Sequence, residues 1–477
     1  MNPSTMIKPL DDHSEMYVSA SRSRIHPPCL GLLRIFDTEI TADELALHTR
    51  LLAQNPLGLG RRVARPKLPG ARARWVPSPV PPSVRMETEP HTPEQLSRLV
   101  DEVISSRPDP ARDSGWRMVS APREGGGTMV VTWVNHAFGD ARNLFELILG
   151  DHASEQLAGQ MAEFDNDDNY AEPPVEVPDR PLWTTTRDEL GDLASRVRIG
   201  LAGSARLGRD AVLSPLRSER REEIALLGPA VAALRPRQRS VGTLSSRRTA
   251  AMVRIDHEHW RKAARAHGGS SNTLFIAMLS NLLWKARRAR GEAPSAHTRI
   301  LLPVDIGQAL DAMGVPPEQR PNNTVIASTV KLPGEPYYGD LEEVKQAIAS
   351  GISRAVAEAE VTANATRPSG MVDAMNLLPN SITHRIAARV QTGYDGVASN
   401  IGPMHHQDVA GVLHHKTNEM YLLAAPMRTD ITGAFGFWDG KLTLSFMADP
   451  ARLGPGGSLA DRVTEELERW EVTGNVW

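Results

Sequence analysis

The chain has 477 residues, a formal net charge of −3, 40% hydrophobic and 23% charged residues, and a single cysteine, Cys29. That length exceeds one ordinary core and implies two domains of about 200 residues each, and the near-neutral balance gives no reason to expect nucleic acid as a partner. One cysteine excludes an internal disulfide, a thiolate metal cluster and a paired-cysteine redox motif.

The N-terminus runs through Lys8 and Pro9 into Asp11 and Asp12 without the apolar core of a secretory signal. No stretch approaches the roughly 20 apolar residues that span a bilayer, so a cytoplasmic location is expected. Leu30–Phe36 reads as a strand. Thr41 opens a helix through Thr41-Ala42-Asp43-Glu44, a capping-box spacing, with Leu45, Leu47, Leu51 and Leu52 on its apolar face. Thr92 opens a second helix in the same way, with Pro93 in the first turn and Leu96, Leu99, Val100 and Ile104 along one side. Met118-Val119 and Thr128–Val134 flank the Gly125-Gly126-Gly127 break as two strands of a hairpin. Met129–Asn135 suits a strand covered on both faces, and it runs into the polar turn His136-Ala137-Phe138-Gly139-Asp140. Leu144, Leu147 and Ile148 then recur at helical spacing, and Gly150 ends the run.

From Asp165 to Asp179 the chain is acidic and proline-rich, as a linker is. Arg196–Arg248 holds 12 arginines, no lysine and 4 acidic residues, a local balance of +8. Such a segment suits an anionic membrane surface, the phosphates of a cofactor or carrier, or simply a solvated helical linker. The second half opens with the strand Thr249–Ile255, a helix from Asp256 to Ala266, and an apolar helix capped by Ser271. Strands follow at Arg299–Val304 and Thr324–Leu332, then an amphipathic helix at Leu341–Glu360. Ile431–Phe437 and Lys441–Phe446 flank Asp439-Gly440 as a hairpin, and a helix from Ser458 to Trp470 comes last. The expected organisation is α/β (α+β): an N-terminal subdomain at 1–170, an arginine-rich crossover at 171–248 and a C-terminal subdomain at 249–477.

At His136-Ala137-Phe138-Gly139-Asp140 the chain resembles the HxxxD acyltransferase superfamily. The motif alone is a weak signal. Its specificity comes from the succession that follows: Pro303-Val304-Asp305, Pro321–Val325, Ala398–Pro403 and the Gly433–Asp449 hairpin, in that order. This looks most like the bacterial wax ester synthase/diacylglycerol acyltransferase branch. There are departures. The family usually carries a second histidine where Asn135 stands and a glycine where Ala141 stands, and the Ser399 segment lacks an inner proline. The chain therefore reads as a divergent member serving a specialised pathway.

The resemblance implies two chloramphenicol-acetyltransferase-like subdomains, each a mixed sheet packed by helices, with a tunnel between them. It implies transfer of an acyl group from acyl-CoA to the hydroxyl or amine of a small-molecule acceptor. Two alternatives stay open: a condensation-type enzyme taking its acyl group from an acyl or peptidyl carrier protein, and a non-catalytic member that binds a carrier. No bound cofactor is expected, with the thioester as co-substrate; peripheral membrane contact remains open.

Neither an alcohol nor an amine is sufficiently nucleophilic when fully protonated, and histidine, with a reference pKa of about 6.5, is the natural base. His136 is the candidate. No covalent acyl-enzyme is required, in keeping with the absence of a nearby cysteine or serine elbow. Asp140 is expected to be structural, through an arginine such as Arg61 or Arg62 or as a helix N-cap. Ser399 and Asn400 are candidate donors to the oxyanion of the tetrahedral intermediate. Gly139, Trp133, Asn135 and Asn323 are candidate substrate contacts. His405-His406 and His414-His415 match no metal-ligand spacing, so no metal is expected; they are read as flanking the acceptor side or as exposed.

Overall fold

A computed structural model of the chain describes residues 8–148, 182–213, 247–305, 325–364, 394–403 and 415–477, apart from residues 12–13, 16, 19–20, 22–26, 55–57, 69–70, 79–81, 142–143, 145–147, 294 and 426–428 within them. The linker expected at 165–179, much of the arginine-rich segment, Asn323, His405, His406 and His414 lie outside the described residues.

The first half forms β1 (Lys8–Pro9), β2 (Cys29–Phe36), α1 (Ala42–Gln54), β3 (Arg61–Ala64), β4 (Arg74–Pro77), β5 (Ser83–Met86), α2 (Pro93–Ser105), β6 (Trp116–Pro122) and β7 (Thr128–Asn135). After α3 (Leu182–Leu213) the second half forms β8 (Thr249–Asp256), α4 (His257–Ala266), α5 (Ser271–Ala289), β9 (His297–Asp305), β10 (Val325–Pro333) and α6 (Glu342–Asn364). Then come β11 (Gly396–Pro403), β12 (Glu419–Ala425), β13 (Ile431–Trp438), β14 (Lys441–Ala448), α7 (Pro450–Leu453), α8 (Leu459–Arg469) and β15 (Asn475–Val476). Local signals explain many boundaries. Thr92 and Gln95 close a reciprocal capping box on α2, as do Ser458 and Asp461 on α8. Asp439 and Gly440 both have positive φ, 45° and 70°, the conformation that a two-residue hairpin loop demands.

The strands form two large mixed sheets packed by helices, an α+β architecture. One runs β10-β9-β11-β13-β14-β8-β15 and belongs wholly to the second half. The other runs β12-β2-β7-β6-β5, with β7 central and every one of its residues buried. A small third sheet, β1-β4-β3, lies beside it.

The edge strand β12 was not legible in sequence as part of the first sheet. It is donated by the second half and pairs antiparallel with β2, from Glu419 opposite Ile35 to Ala425 opposite Cys29. Apolar burial follows the same exchange. Leu30, Leu32, Val130, Val134 and Phe138 share a core cluster with Met420, Leu422, Ala434 and Trp438. Under α2, Leu99, Val103 and Trp133 share another with Ala250, Met252 and Met447. Polar links reinforce it: the Ala250 amide donates to Asp101 Oδ1 at 2.8 Å, and the Arg248 amide to Ser105 Oγ at 2.7 Å.

α3 falls within the segment expected to be a crossover, and its described part docks on the first half. Buried Glu189 accepts from the amides of Lys67 at 3.1 Å and Leu68 at 2.8 Å, and Asp192 pairs with Arg72 at 2.6 Å. Its outer side carries Leu190, Val197 and Leu201, at 54%, 43% and 60% exposure. Among the described residues, no helix is long and apolar enough to cross a membrane.

His48 on α1 sits in the first core with its Nε2 buried and without a hydrogen-bond partner. Burial, aided by the charge of Arg34, pushes its pKa down to about 3. An unfolded histidine binds its proton near pH 6.5, so the unfolded state gains protons first as pH falls. His48 should therefore remove stability progressively between pH 6.5 and about 3, with a slope approaching about 1.4 kcal/mol per pH unit. Urea titrations of wild type and His48→Leu across that range should diverge as pH falls; parallel curves would refute the assignment.

Candidate active site

β7 has to end in a place without solvent, and Asn135 determines how. Its backbone leaves the strand at φ −64° and ψ 131°, and its side-chain oxygen accepts from the Ala137 amide at 3.0 Å, which starts a 3₁₀ turn over His136–Phe138. The side-chain nitrogen donates to Ser21 Oγ at 2.8 Å and to the Pro108 carbonyl at 2.9 Å. Backbone bonds complete the frame, from the Asn135 amide to Gly115 and from the His136 amide to Pro28, both at 3.0 Å.

The rest of the turn is held from the other side. Arg61 Nη2 donates to the Phe138 carbonyl at 2.5 Å, and its guanidinium lies 4.3 Å from the Trp75 ring centroid. Burial pushes the Arg61 pKa down to about 10, with the charge of Asp11 opposing. Phe138 packs on Trp75 at 5.1 Å and against Gly115, whose φ of 74° and lack of a side chain are both required. A Cβ there would lie 2.6 Å from the Phe138 ring. The Leu144 amide donates to the Asp140 carbonyl at 2.9 Å, so a helix starts at Asp140. Ala137, Phe138, Gly139 and Asp140 are buried, and His136 alone in the turn is half-buried. Tyr17 stands beside it, with ring centroids 4.8 Å apart and planes tilted by 46°.

The sequence candidates fare differently. Trp133 is fully buried in the core beneath α2, with Nε1 donating to the Ser106 carbonyl at 3.4 Å. Asn135 is fully buried too, and its side-chain amide makes the three bonds above. Gly139 is extended, at φ 163°. Among the described residues, neither Arg61 nor Arg62 forms an ion pair with Asp140; Arg61 reaches the turn through the Phe138 carbonyl instead.

On the other half, β11 runs parallel to β13 and breaks register between Asn400 and Pro403, with Gly402 at φ 73°. Asn400 is exposed. Its Oδ1 accepts from the Gly402 amide at 2.8 Å and its Nδ2 donates to Asn272 at 3.0 Å, in the first turn of α5. Ser399, opposite Ala434, is half-buried. The His136 turn and this strand meet through one apolar cluster, which holds Ala137, Phe138 and Ala434 and has Ile401 at its margin. His415 links Thr38 Oγ1 at 2.8 Å to Glu44 Oε1 at 3.1 Å. Among the described residues, no cluster of three or more histidine, cysteine, aspartate or glutamate side chains could hold a metal. Two surface hollows, one over α4 and one beside Trp477, are lined by other residues than His136.

No protein-family model matches the sequence, and no curated protein is found similar to it. Solved structures do match, over nearly the whole chain. A wax ester synthase/diacylglycerol acyltransferase from Marinobacter aquaeolei VT8 is 15% identical, with 97% of this chain and 99% of that one covered and a TM-score of 0.51. The first condensation domain of the CDA synthetase is 15% identical, covering 97% and 93%, also at 0.51. Polyketide synthase associated protein 5 from Mycobacterium tuberculosis is 13% identical, covering 97% and 96%, at 0.52. The chain shares their fold. No one branch stands out, so the expected preference for the wax ester synthase branch is not upheld.

Sequence reading missed Ser14, Tyr17, Ser21, Gly115 and the carbonyl-directed role of Arg61. If Asn135 governs the turn, Asn135→Leu should lower stability by about 2–4 kcal/mol, since it strands the buried Ala137 amide and Pro108 carbonyl without partners. Chemical denaturation measures this; a loss below about 0.5 kcal/mol, the range of an ordinary surface substitution, would show that the turn forms without it.

Proposed function

We propose that the chain is an acyltransferase that moves an acyl group from a carrier-protein thioester to the hydroxyl or amine of a small acceptor, with His136 as general base. The observation that carries this reading is the turn itself: one half-buried imidazole at the end of a central strand, in a turn whose other side chains are buried and fixed. A ring nitrogen of His136 takes the acceptor proton as the acceptor attacks the thioester carbonyl. The tetrahedral oxyanion collapses, the carbon–sulfur bond breaks, and the proton passes to the leaving thiolate. Ser399 is the stronger oxyanion candidate, because the Asn400 amide is already engaged by Asn272. Asp140 serves structurally at the start of the helix after the turn. Donor and acceptor approach from opposite sides of the seam between the two halves, in the manner of the expected tunnel.

A carrier-bound donor is favoured over free acyl-CoA by the arginine-rich segment, with its local balance of +8, and by the exposed Leu190, Val197 and Leu201 on α3. Together they suit an acidic partner with an apolar patch. An anionic membrane would meet the same features, and co-sedimentation with anionic vesicles separates the two.

Thiol release from a panel of acyl thioesters should show turnover in wild type and a fall of about 10²–10⁴ in His136→Ala. Full activity in that variant would remove His136 as the base. Raising salt from 50 to 500 mM, on the order of a threefold shorter screening length, should weaken turnover of carrier thioesters more than that of CoA thioesters. Equal responses would remove the carrier preference.

A further inference from the structure

The contacts that hold the turn from its N-terminal side form a set. Ser14, Tyr17 and Ser21 are helical residues at i, i+3 and i+7, and so lie on one face. Each meets a successive residue of the turn in reverse order. Ser14 Oγ donates to the Ala137 carbonyl at 3.1 Å, Tyr17 packs on His136 at 4.8 Å, and Ser21 Oγ accepts from Asn135 at 2.8 Å. Ser21 Oγ in turn donates to the Tyr17 carbonyl at 3.2 Å. The start of this face is fixed by Asp11, whose carboxylate accepts from the Ser14 amide at 2.8 Å and shares the Ser14 hydroxyl proton at 2.9 Å. Beyond Ser14, Glu15 lies beside Arg196 of α3 at 3.9 Å, both largely buried, so this segment is held from behind as well.

We propose that Tyr17 is a positioning residue for His136, its ring fixing the orientation of the imidazole while Ser14 and Ser21 fix the backbone beneath it. The inference rests on the reading of His136 as the base. Backbone bonds by themselves leave a histidine ring some freedom about χ2, a broad, weakly restrained torsion. The Tyr17 ring, packed against one side of a half-buried imidazole, removes that freedom. What matters is the ring, not the hydroxyl. Burial, with the charge of Asp11, holds the Tyr17 hydroxyl protonated, at a pKa of about 12, so it brings no charge to the base.

The test compares Tyr17→Phe and Tyr17→Ala with wild type in two measurements on the full chain: the rate at which diethyl pyrocarbonate modifies His136, followed by peptide mass spectrometry, and kcat and KM for a thioester donor. Tyr17→Phe should match wild type in both. Tyr17→Ala should be modified faster and should lose about tenfold or more in kcat, with KM for the thioester within about twofold, because orientation of the base is lost and donor binding is not. Tyr17→Leu replaces the alanine variant should the latter fail to fold. A folded Tyr17→Ala or Tyr17→Leu with wild-type kcat and wild-type modification rate overturns the proposal. Absence of turnover in wild type with every thioester would instead overturn the acyltransferase reading, and the modification rates would still decide whether Tyr17 holds the imidazole.

Discussion

The amide side chain of Asn135 is the constraint on which the site depends. A strand buried on both faces cannot hand its last backbone groups to water, so every donor and acceptor beyond the final ladder pair needs a partner inside the protein. Asn135 meets this with one acceptor bond and two donor bonds, to residues from three parts of the chain: Ala137 beyond it, Ser21 before β2 and Pro108 after α2. Those bonds turn the chain through a single 3₁₀ turn and leave His136 half-buried. The imidazole is therefore placed by a buried polar network, and such networks are rigid only when every member is satisfied.

The same sheet depends on the second half of the chain for its edge. β12 covers β2, and Leu422 and Met420 enter the cluster that also buries Phe138 of the turn. The turn is thus packed partly by residues almost 300 positions further along, and the two halves share cores instead of resting against each other as separate bodies. A seam built from shared, close-packed cores has a fixed geometry.

Much of the local structure could be read from residues alone. The capping boxes at Thr41 and Thr92, the buried run of β7 and the Asp439-Gly440 hairpin are short-range signals, each satisfied within a few residues, and the structure has them where the pattern puts them. The donated strand Glu419–Ala425 was not read from the sequence, and nothing local says which sheet it joins, since its partner β2 is almost 400 residues earlier in the chain. Ser14, Tyr17 and Ser21 were illegible for a related reason. Their i, i+3, i+7 spacing marks a face, but two small polar residues and a tyrosine make no apolar stripe, and only the fold brings Asn135, His136 and Ala137 against them. Trp133 and Asn135 lie close to the histidine in sequence, yet both belong to the buried strand while His136 begins the 3₁₀ turn.

The resemblance to the HxxxD proteins points to a histidine at position 135, and its replacement here has a physical reading. A neutral histidine offers one donor and one acceptor, whereas an asparagine offers two donors and an acceptor from a shorter side chain. The environment of position 135 uses all three: Ser21 and the Pro108 carbonyl take the two donors, and the Ala137 amide takes the acceptor. A neutral histidine in this frame could serve only one of the two acceptors, and leaving the buried Pro108 carbonyl unpaired would cost about 1–3 kcal/mol. The asparagine at position 135 is therefore matched by its surroundings. The half-buried imidazole one position later, the base proposed above, is present whichever residue stands at 135.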